Sequence, residues 1–361
     1  MGVAPSDVVT SAPSTIGAAS ASGAAVVFPL ARPLAVVLGA VVSDPAQIWH
    51  AGDRYAEVAK RVRAAGAEMA EAVERRAGSD DWAEKGKKAF LEHRVRPYQQ
   101  TLAQAAAMYD DLDSALKGTA VAYSMAGVSS AAIGSAMLGY VAPLLAAAVL
   151  PPIEAEVTYV ANTAMLRAGM AIRVLVSGLA KVNVAMAQLL ASTAVGLGVK
   201  SSALTGLGIL GTAVAGGAGG FHIGTRAAPA FEDAVRPVHW PKEVEGGAPA
   251  GFRAAPAAQA DAMRRIHPAS IKALGDDLDA GAGKTLQGAH DFAGDIQVGA
   301  PGFGAIGVHL FFAHATMRDT ATRQLAAGRD TLGKWLPGLR TAAGNWVAAE
   351  RSTTEAVNHG R

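Results

Sequence analysis

The stretch GTAVAYSMAGVSSAAIGSAMLGYVAPLLAAAVLPPI, residues 118–153, decides how this chain is built, because its 36 consecutive residues include no Asp, Glu, Lys, Arg or His. About 20 apolar residues are enough for a helix to cross a bilayer. Charged segments flank the stretch, which lies between Lys117 and Glu154. Two interpretations follow: the stretch inserts in a membrane, or it forms the buried centre of a soluble helical bundle.

Composition narrows the class of protein. The 361 residues are 51% hydrophobic but only 6% aromatic, so a core of this chain consists mainly of Ala, Val, Leu and Gly, as in closely packed helices. A net charge of +2 gives no electrostatic case for a nucleic-acid partner. The absence of cysteine excludes disulfides and thiolate metal sites.

The N-terminal region, residues 1–42, does not have the pattern of a secretory signal peptide. Residues 1–23 are rich in Ser, Ala, Gly and Pro and have no basic start. The following apolar segment is interrupted by Pro29, Arg32 and Pro33. We therefore expect a disordered leader followed by a short apolar anchor.

Residues 43–117 are predicted to form an antiparallel helical hairpin. Ser43 and Asp44 can cap a helix that has Pro45 in its first turn. Apolar residues then recur at steps of three and four, which indicates one buried face on each arm. These residues are Tyr55, Val58, Val62, Ala65, Met69 and Ala72 on the first arm, and Leu91, Val95, Tyr98, Leu102, Ala105, Tyr109, Leu112 and Leu116 on the second. Pro97 is expected to kink or restart the second arm.

Residues 118–226 are rich in Ala, Gly, Val and Leu and are predicted to be helical, with breaks at Pro143 and at the pair of prolines 151–152. Gly127, Ala131, Ser135 and Gly139 lie four residues apart and predict a ridge of small side chains along which another helix can pack closely.

The prolines spread through residues 227–262 predict an extended linker. Residues 263–361 are predicted to form a second helical hairpin, with a Gly-rich turn at residues 299–304 and a kink at Pro337.

The turn of the first hairpin, DWAEKGKKAF at residues 81–90, resembles the bend of WXG-type substrates of the type VII (ESX) secretion system of actinobacteria. Those proteins have Trp at the bend, Gly two residues later, and commonly Ala-Phe seven and eight residues later. Here Trp82 and Phe90 match, whereas Glu84 occupies the Gly position and the nearest glycine is Gly86. On the same arm, Tyr109 and Asp113 look like the family's Y-x-x-x-D/E export signal.

The C-terminal region is similar to EspC-like proteins, a second group associated with these secretion systems. The similarity lies in IHPASI at residues 266–271, in Phe303-Gly304 and in WVAAERSTTE at residues 346–355. Trp346 and Glu350 repeat the spacing of an aromatic residue and an acid, with Trp in place of Tyr. The resemblance implies delivery outside the cell or to its surface, recognition by the secretion ATPase, and pairing with another helical hairpin or with itself.

No motif in the sequence predicts an enzyme, a cofactor or a metal site. The pattern G-x-G-x-x-G at residues 206–211 has no preceding strand, which dinucleotide binding requires. The segment GAGKT at residues 281–285 has Leu278 where a phosphate-binding loop needs its first glycine. His309 and His314 are five residues apart, unlike the four-residue spacing of a ligand pair on one helical face.

The sequence therefore predicts an all-α protein in which two antiparallel helical hairpins flank an apolar, Ala/Gly-rich helical middle region. Its leading function is that of a non-enzymatic type VII secretion substrate that acts through helix–helix pairing. The alternative, from a different class, is a membrane-inserting or pore-forming helical protein.

Overall fold

The structure is a computed structural model, and it describes residues 12–77, 84–148, 151–196 and 268–359. Every regular element in these ranges is helical, as the sequence predicts, and they contain no strand. The helices are α1 (Ala12–Val27), α2 (Ala31–Ala40), α3 (Pro45–Ala77), α4 (Glu84–Phe90), α5 (Arg96–Gly139), α6 (Val141–Ala147), α7 (Pro151–Gly196), α8 (Pro268–Leu278), α9 (Lys284–Gly294) and α10 (Val308–His359). The proposed linker at residues 227–262 and the glycine pattern at residues 206–211 lie outside the described ranges.

The beginning of the described chain differs from the disordered leader that its composition indicates. Residues 12–27 form α1, and Ser14, Gly17, Ala21 and Ala24 are buried along one of its faces. Small side chains allow close approach of another helix, so packing along the whole face offsets the entropy cost of ordering an Ser/Ala/Gly segment. The expectation of disorder fails because composition alone does not include this tertiary contact.

Helix α3 begins where its capping residues predict. Asp44 accepts hydrogen bonds from the backbone N–H of Gln47 at 3.3 Å and from the Gln47 side-chain amide at 2.8 Å, and the helix starts at Pro45. The predicted apolar face of α3 is buried from Tyr55 to Ala72. A carboxylate at this position satisfies an N–H group that has no partner within the helix.

Pro97 acts on the second arm as its chemistry predicts. A π-helical segment, Leu91–Val95, separates α4 from α5 directly before this proline. Proline has no N–H to donate and its ring clashes with the carbonyl four residues earlier, so the local turn widens. Beyond this proline, α5 continues without interruption to Gly139. The charge-free stretch begins after Lys117, but the helix does not break there, because backbone hydrogen bonds do not depend on side-chain charge.

The described chain divides into two compact units. Among the described residues, unit 1 consists of residues 12–55, 111–148, 151–196 and 296–318, and unit 2 of residues 56–77, 84–110, 268–295 and 319–359. In unit 1, small and apolar residues of α1, α2, α5 and α7 form one core. Its buried members are Ala21, Ala24, Ala31, Ala35, Leu38, Met137, Met165 and Ile172.

The predicted Gly-rich turn of unit 1 packs against the connection between α2 and α3. Gly302 accepts a hydrogen bond from the N–H of Asp44 at 2.8 Å, and Gly299 donates its N–H to the Gln47 side chain at 2.9 Å. Gly304 has a φ of 66°, and a Cβ atom there would overlap the carbonyl oxygen of Val42. Glycine is required at this position both by the backbone conformation and by the close approach.

In unit 2, charged and polar contacts join α3 to α8 and α9 in reversed order along the two segments. Arg76 donates to Asp277 at 2.9 Å, the Thr285 hydroxyl to Glu68 at 2.7 Å, and Arg61 to the carbonyl of Gly288 at 3.0 Å. Residues nearer the start of α3 therefore contact residues further along α8 and α9. This order is the signature of antiparallel packing.

The other faces of unit 2 are closed by aromatic and ionic contacts. The Tyr98 hydroxyl donates to the carbonyl of Gly328 at 2.8 Å, and its ring lies edge-on to Trp335 at 5.2 Å. Arg63 pairs with Asp110, and Arg340 pairs with Asp276 at 3.1 Å. These contacts connect α3 with α5, α5 with α10, and α8 with α10.

Candidate membrane interface

The exposed apolar side chains are concentrated in unit 1. Among the described residues, all the large apolar side chains that are exposed belong to unit 1 except Val347. They are Ile16, Val26, Leu30 and Val36 on α1, α2 and their connection, Val121, Met125, Val128 and Leu138 on α5, Leu145 on α6, Tyr159, Val160, Leu166, Met170 and Val174 on α7, and Val308, Phe311 and Phe312 at the start of α10. Single exposed apolar residues are normal on a soluble protein, but concentration in one unit marks an interaction surface.

Three helical stretches have the length and composition needed to cross a membrane. They are Ala31–Arg76, Lys87–Ala147 and Ala155–Leu190. In the most apolar windows of the last two, only 22% of the residues are buried within the protein. The apolar character of these stretches is therefore directed mostly outward, and the internal core does not account for it.

The predicted ridge of small residues takes part in helix packing with a shifted register. Gly127 is buried against Ser14 of α1, whereas Ser135 and Gly139 are exposed and Ala131 is half-buried. The closest approach instead involves Ser130 and Gly134, which face Gly17, and a Cβ at Gly134 would overlap the backbone of Gly17. The correction has a geometric cause: a helix has 3.6 residues per turn, so a strict four-residue series drifts off a straight contact face.

The residues proposed for export recognition have very different environments. Trp82 lies outside the described residues, and Gly86 belongs to α4. Phe90 packs edge-on against Trp335 at 5.7 Å between ring centres. Trp346 and Glu350 belong to α10, but their side chains are outside the described part of the structure.

Tyr109 and Asp113, both on α5, also differ in accessibility. The Tyr109 side chain is fully buried within its helix packing. The Asp113 carboxylate pairs with Lys117 at 2.7 Å, and the same ammonium group contacts Asp53 at 2.8 Å. A receptor would reach the Tyr109 ring only after local opening of the helices around it.

Two buried imidazoles occupy unit 1 near the beginning of α10. His309 and His314 are 6% and 3% exposed, and His309 Nδ1 and His314 Nε2 have no hydrogen-bond partner among the described residues. Burial lowers the pKa of both histidines, and burial together with the charge of Arg318 lowers the pKa of His314 to about 4. No group of three or more His, Cys, Asp or Glu side chains in the described ranges is placed to hold a metal ion.

The glycine-rich segment at residues 281–283 is part of a helix. Asp279–Gly283 forms a π-helical turn between α8 and α9, and Ala282 and Gly283 are buried. A continuous helical backbone does not present the loop of N–H groups that binds a phosphate.

Comparison with known proteins adds no relative: no family model, curated protein or solved structure matches this chain. The chemistry of the described surface is therefore the basis for inferring what the protein does.

Proposed function

We propose that this protein is a non-enzymatic helical protein that associates with membranes through the apolar surface of unit 1. The observation that carries the proposal is the concentration of exposed large apolar side chains on helices that are long enough to span a bilayer. Unit 2 differs in its surface, since Val347 is the single exposed large apolar side chain among its described residues. Lipid contact on unit 1 would remove apolar surface from water without requiring a protein partner.

Vesicle flotation tests this proposal on the full chain. The protein is mixed with zwitterionic phosphatidylcholine vesicles at low and at high salt, and we expect it to float with them in both. Val36 and Val174 are 74% and 75% exposed, so Val36→Asp combined with Val174→Asp changes the surface and leaves the core intact. A carboxylate costs about 3 kcal/mol at the centre of a membrane and less towards its surface. The double variant places two carboxylates on the apolar surface, so it should stay with the soluble fraction.

The matched control is Val347→Asp, because Val347 is also exposed but belongs to unit 2. This variant should float like the unmodified protein. Circular dichroism and thermal unfolding confirm that each variant is folded. Recovery of the unmodified protein in the soluble fraction at both salt concentrations would contradict membrane association.

Type VII export is the second proposed function, and the contacts in unit 2 favour it. The Arg63–Asp110 pair links α3 to α5, and Gly275 packs against Leu336 and Leu339. The reversed order of contacts along these helices supports two hairpins that pair within one chain, as single-hairpin family members do by dimerising. The resemblance at Trp82 supplies the proposed route, with the secretion ATPase as the partner.

A secretion assay in cells that contain the system separates this route from membrane association. We expect Trp82→Ala and Asp113→Asn to lower export into the medium, while Asp111→Asn, on the exposed face of the same helix, leaves it unchanged. Tyr109→Phe keeps the buried ring and removes only the hydroxyl, so its level of export shows whether the secretion system recognises that hydroxyl. Unchanged export of Trp82→Ala at equal cellular abundance would contradict the export proposal, whatever the outcome of the flotation experiment.

A further inference from the structure

An elongated groove lies between α2 and α7 in unit 1, with a cavity volume of about 1140 Å³. Its floor is formed by the buried side chains of Met165 and Ile172, and Leu34 and Val37 of α2 form one wall. Sites for small molecules commonly enclose about 300–1,000 Å³ and are mostly apolar. The groove is slightly larger than this range and most of its lining residues are apolar, so it can hold one extended apolar ligand.

A glycine of α7 lies close to the α2 wall of the groove. Gly169 lines it, and a Cβ atom added there would lie 3.7 Å from Cδ2 of Leu34 on the opposite wall. Any larger side chain at this position would extend into the space between the two helices. A bulky side chain at this position would therefore reduce the space for a ligand, which provides a specific test of the site.

The lining becomes more polar along α7, although Asn162 lies in the first part and Val184 and Ala185 in the later part. Leu30, Leu166 and Met170 surround one part of the groove, whereas Ser177, Lys181 and Gln188 line the part nearer the end of α7. Lys181 and Ser177 are separated from Leu166 by fifteen and eleven residues, or about 17–22 Å along a helix. This length exceeds the roughly 15 Å that one leaflet gives to an acyl chain.

Two cations, Arg173 and Lys181, lie at the rim of the groove, and none of the described residues that line it is a carboxylate. Both side chains are exposed, and neither forms an ion pair with the described residues. An arginine guanidinium binds a carboxylate through two parallel hydrogen bonds, while its aliphatic stem can lie along apolar surface. The charges at the rim are therefore complementary to an anionic headgroup.

We infer that this groove binds a long-chain fatty acid, with its chain over Met165 and Ile172 and its carboxylate at Arg173 and Lys181. The free acid fits the combination of one continuous apolar channel and a small anionic head at the polar end. The groove shares Leu30, Leu166 and Met170 with the proposed membrane surface. Binding of a single dissolved molecule needs no bilayer, so an assay without lipid tests this inference separately from the membrane proposal.

The test uses cis-parinaric acid, whose fluorescence increases in an apolar site, at a concentration below that at which it forms micelles. We expect saturable binding of one molecule per chain. Oleic acid should displace the probe at least about tenfold more effectively than oleyl alcohol, because only the acid carries the charge that Arg173 and Lys181 recognise. Equal displacement by the acid and the alcohol would overturn the assignment of the headgroup.

Paired variants locate the site. Gly169→Leu should abolish binding, whereas Gly178→Leu, on the same helix with no atom within 4 Å of its Cβ position, should bind as the unmodified protein does. Arg173→Gln should weaken displacement of the probe by oleic acid about tenfold and leave its displacement by oleyl alcohol unchanged. The control is Arg167→Gln, because Arg167 lies on the same helix outside the groove.

Unimpaired binding by Gly169→Leu would place the ligand elsewhere and overturn the proposal. Binding of several molecules per chain, or displacement of the probe by dioleoyl phosphatidic acid but not by oleic acid, would do the same. If the chain self-associates and probe binding is lost over the same range of protein concentration, the occupant of the groove is a second copy of the chain.

Discussion

Unit 1 should lose stability as the pH falls from 6.5 towards 4, because His314 is buried in its neutral form. The imidazole packs edge-on against Tyr55 at 5.9 Å and beside Phe303 at 6.3 Å between ring centres. Burial first, and then the positive charge of Arg318, lowers its pKa from 6.5 to about 4. The unfolded chain therefore binds a proton more readily than the folded chain does.

The sign and size of the effect follow from this difference in pKa. Above pH 6.5 both states are neutral and the contribution to stability is complete. Between pH 6.5 and 4 only the unfolded state gains the proton, so the free energy of unfolding decreases, by about 2 kcal/mol at pH 5 and about 3 kcal/mol below pH 4. Burial also lowers the pKa of His309, which adds a loss in the same direction.

Urea unfolding followed by circular dichroism at pH 7.5 and pH 5 measures this loss. In His314→Phe, which keeps a ring against Tyr55, the decrease between the two pH values should be about 2 kcal/mol smaller than in the unmodified protein. His50→Gln is the control, since the His50 side chain is 70% exposed, and its profile should follow that of the unmodified protein. Parallel pH profiles of His314→Phe and the unmodified protein would refute the reasoning.

Three further changes test packing and charge by urea unfolding. Gly304→Ala should lower the free energy of unfolding by about 1–2 kcal/mol, because its φ of 66° and its contact with Val42 both disfavour a side chain. Its control is Gly333→Ala, in a helix with open space among the described residues, which should raise the free energy of unfolding by up to about 1 kcal/mol. Equal effects of the two substitutions would contradict this. Gly134→Leu should destabilise by about 1–3 kcal/mol through overlap with α1, and an unchanged midpoint would show that the close contact is absent. Hydrogen bonding to Arg76 holds the pKa of Asp277 below its ordinary value of 3.8, so the contribution of this pair to stability is complete above that pH and is lost as the pH falls through the lowered pKa. Asp277→Asn should therefore lower the midpoint at pH 7, and its difference from the unmodified protein should decrease as the pH falls below 3.8.

Elements that depend on neighbours in sequence could be predicted from the sequence. The three-and-four spacing of Tyr55, Val58 and Val62 identifies a buried helical face, and these residues are buried. Asp44 caps its helix and Pro97 follows a widened turn, because both effects act within four residues of their cause. The same reasoning identifies the turn that contains Gly304.

Features that depend on distant parts of the chain could not be derived in this way. The order of α1 depends on Gly17 meeting Gly134, more than a hundred residues away. The groove requires Leu34 to face Gly169, and periodicity within α7 contains no information about α2. The apolar spacing along the second arm places Tyr109 on a buried face, and the residue is buried. The export motif treats the same tyrosine as a recognition signal and does not consider whether its side chain is accessible.

The charges on α5 and α7 indicate that the two helices take different positions in a bilayer. Residues 118–139 of α5 carry no charge and span about 33 Å as a helix, which matches a hydrocarbon core of about 30 Å. Helix α7 carries Arg167, Arg173 and Lys181, each of which would cost about 3 kcal/mol near the centre of a membrane. At the interface the same side chains reach water and attract anionic headgroups. We therefore expect α5 to supply insertion that is independent of salt and α7 to lie along the surface, so that anionic lipid should strengthen flotation at low salt only. Equal flotation with zwitterionic and anionic vesicles at low salt would contradict this division.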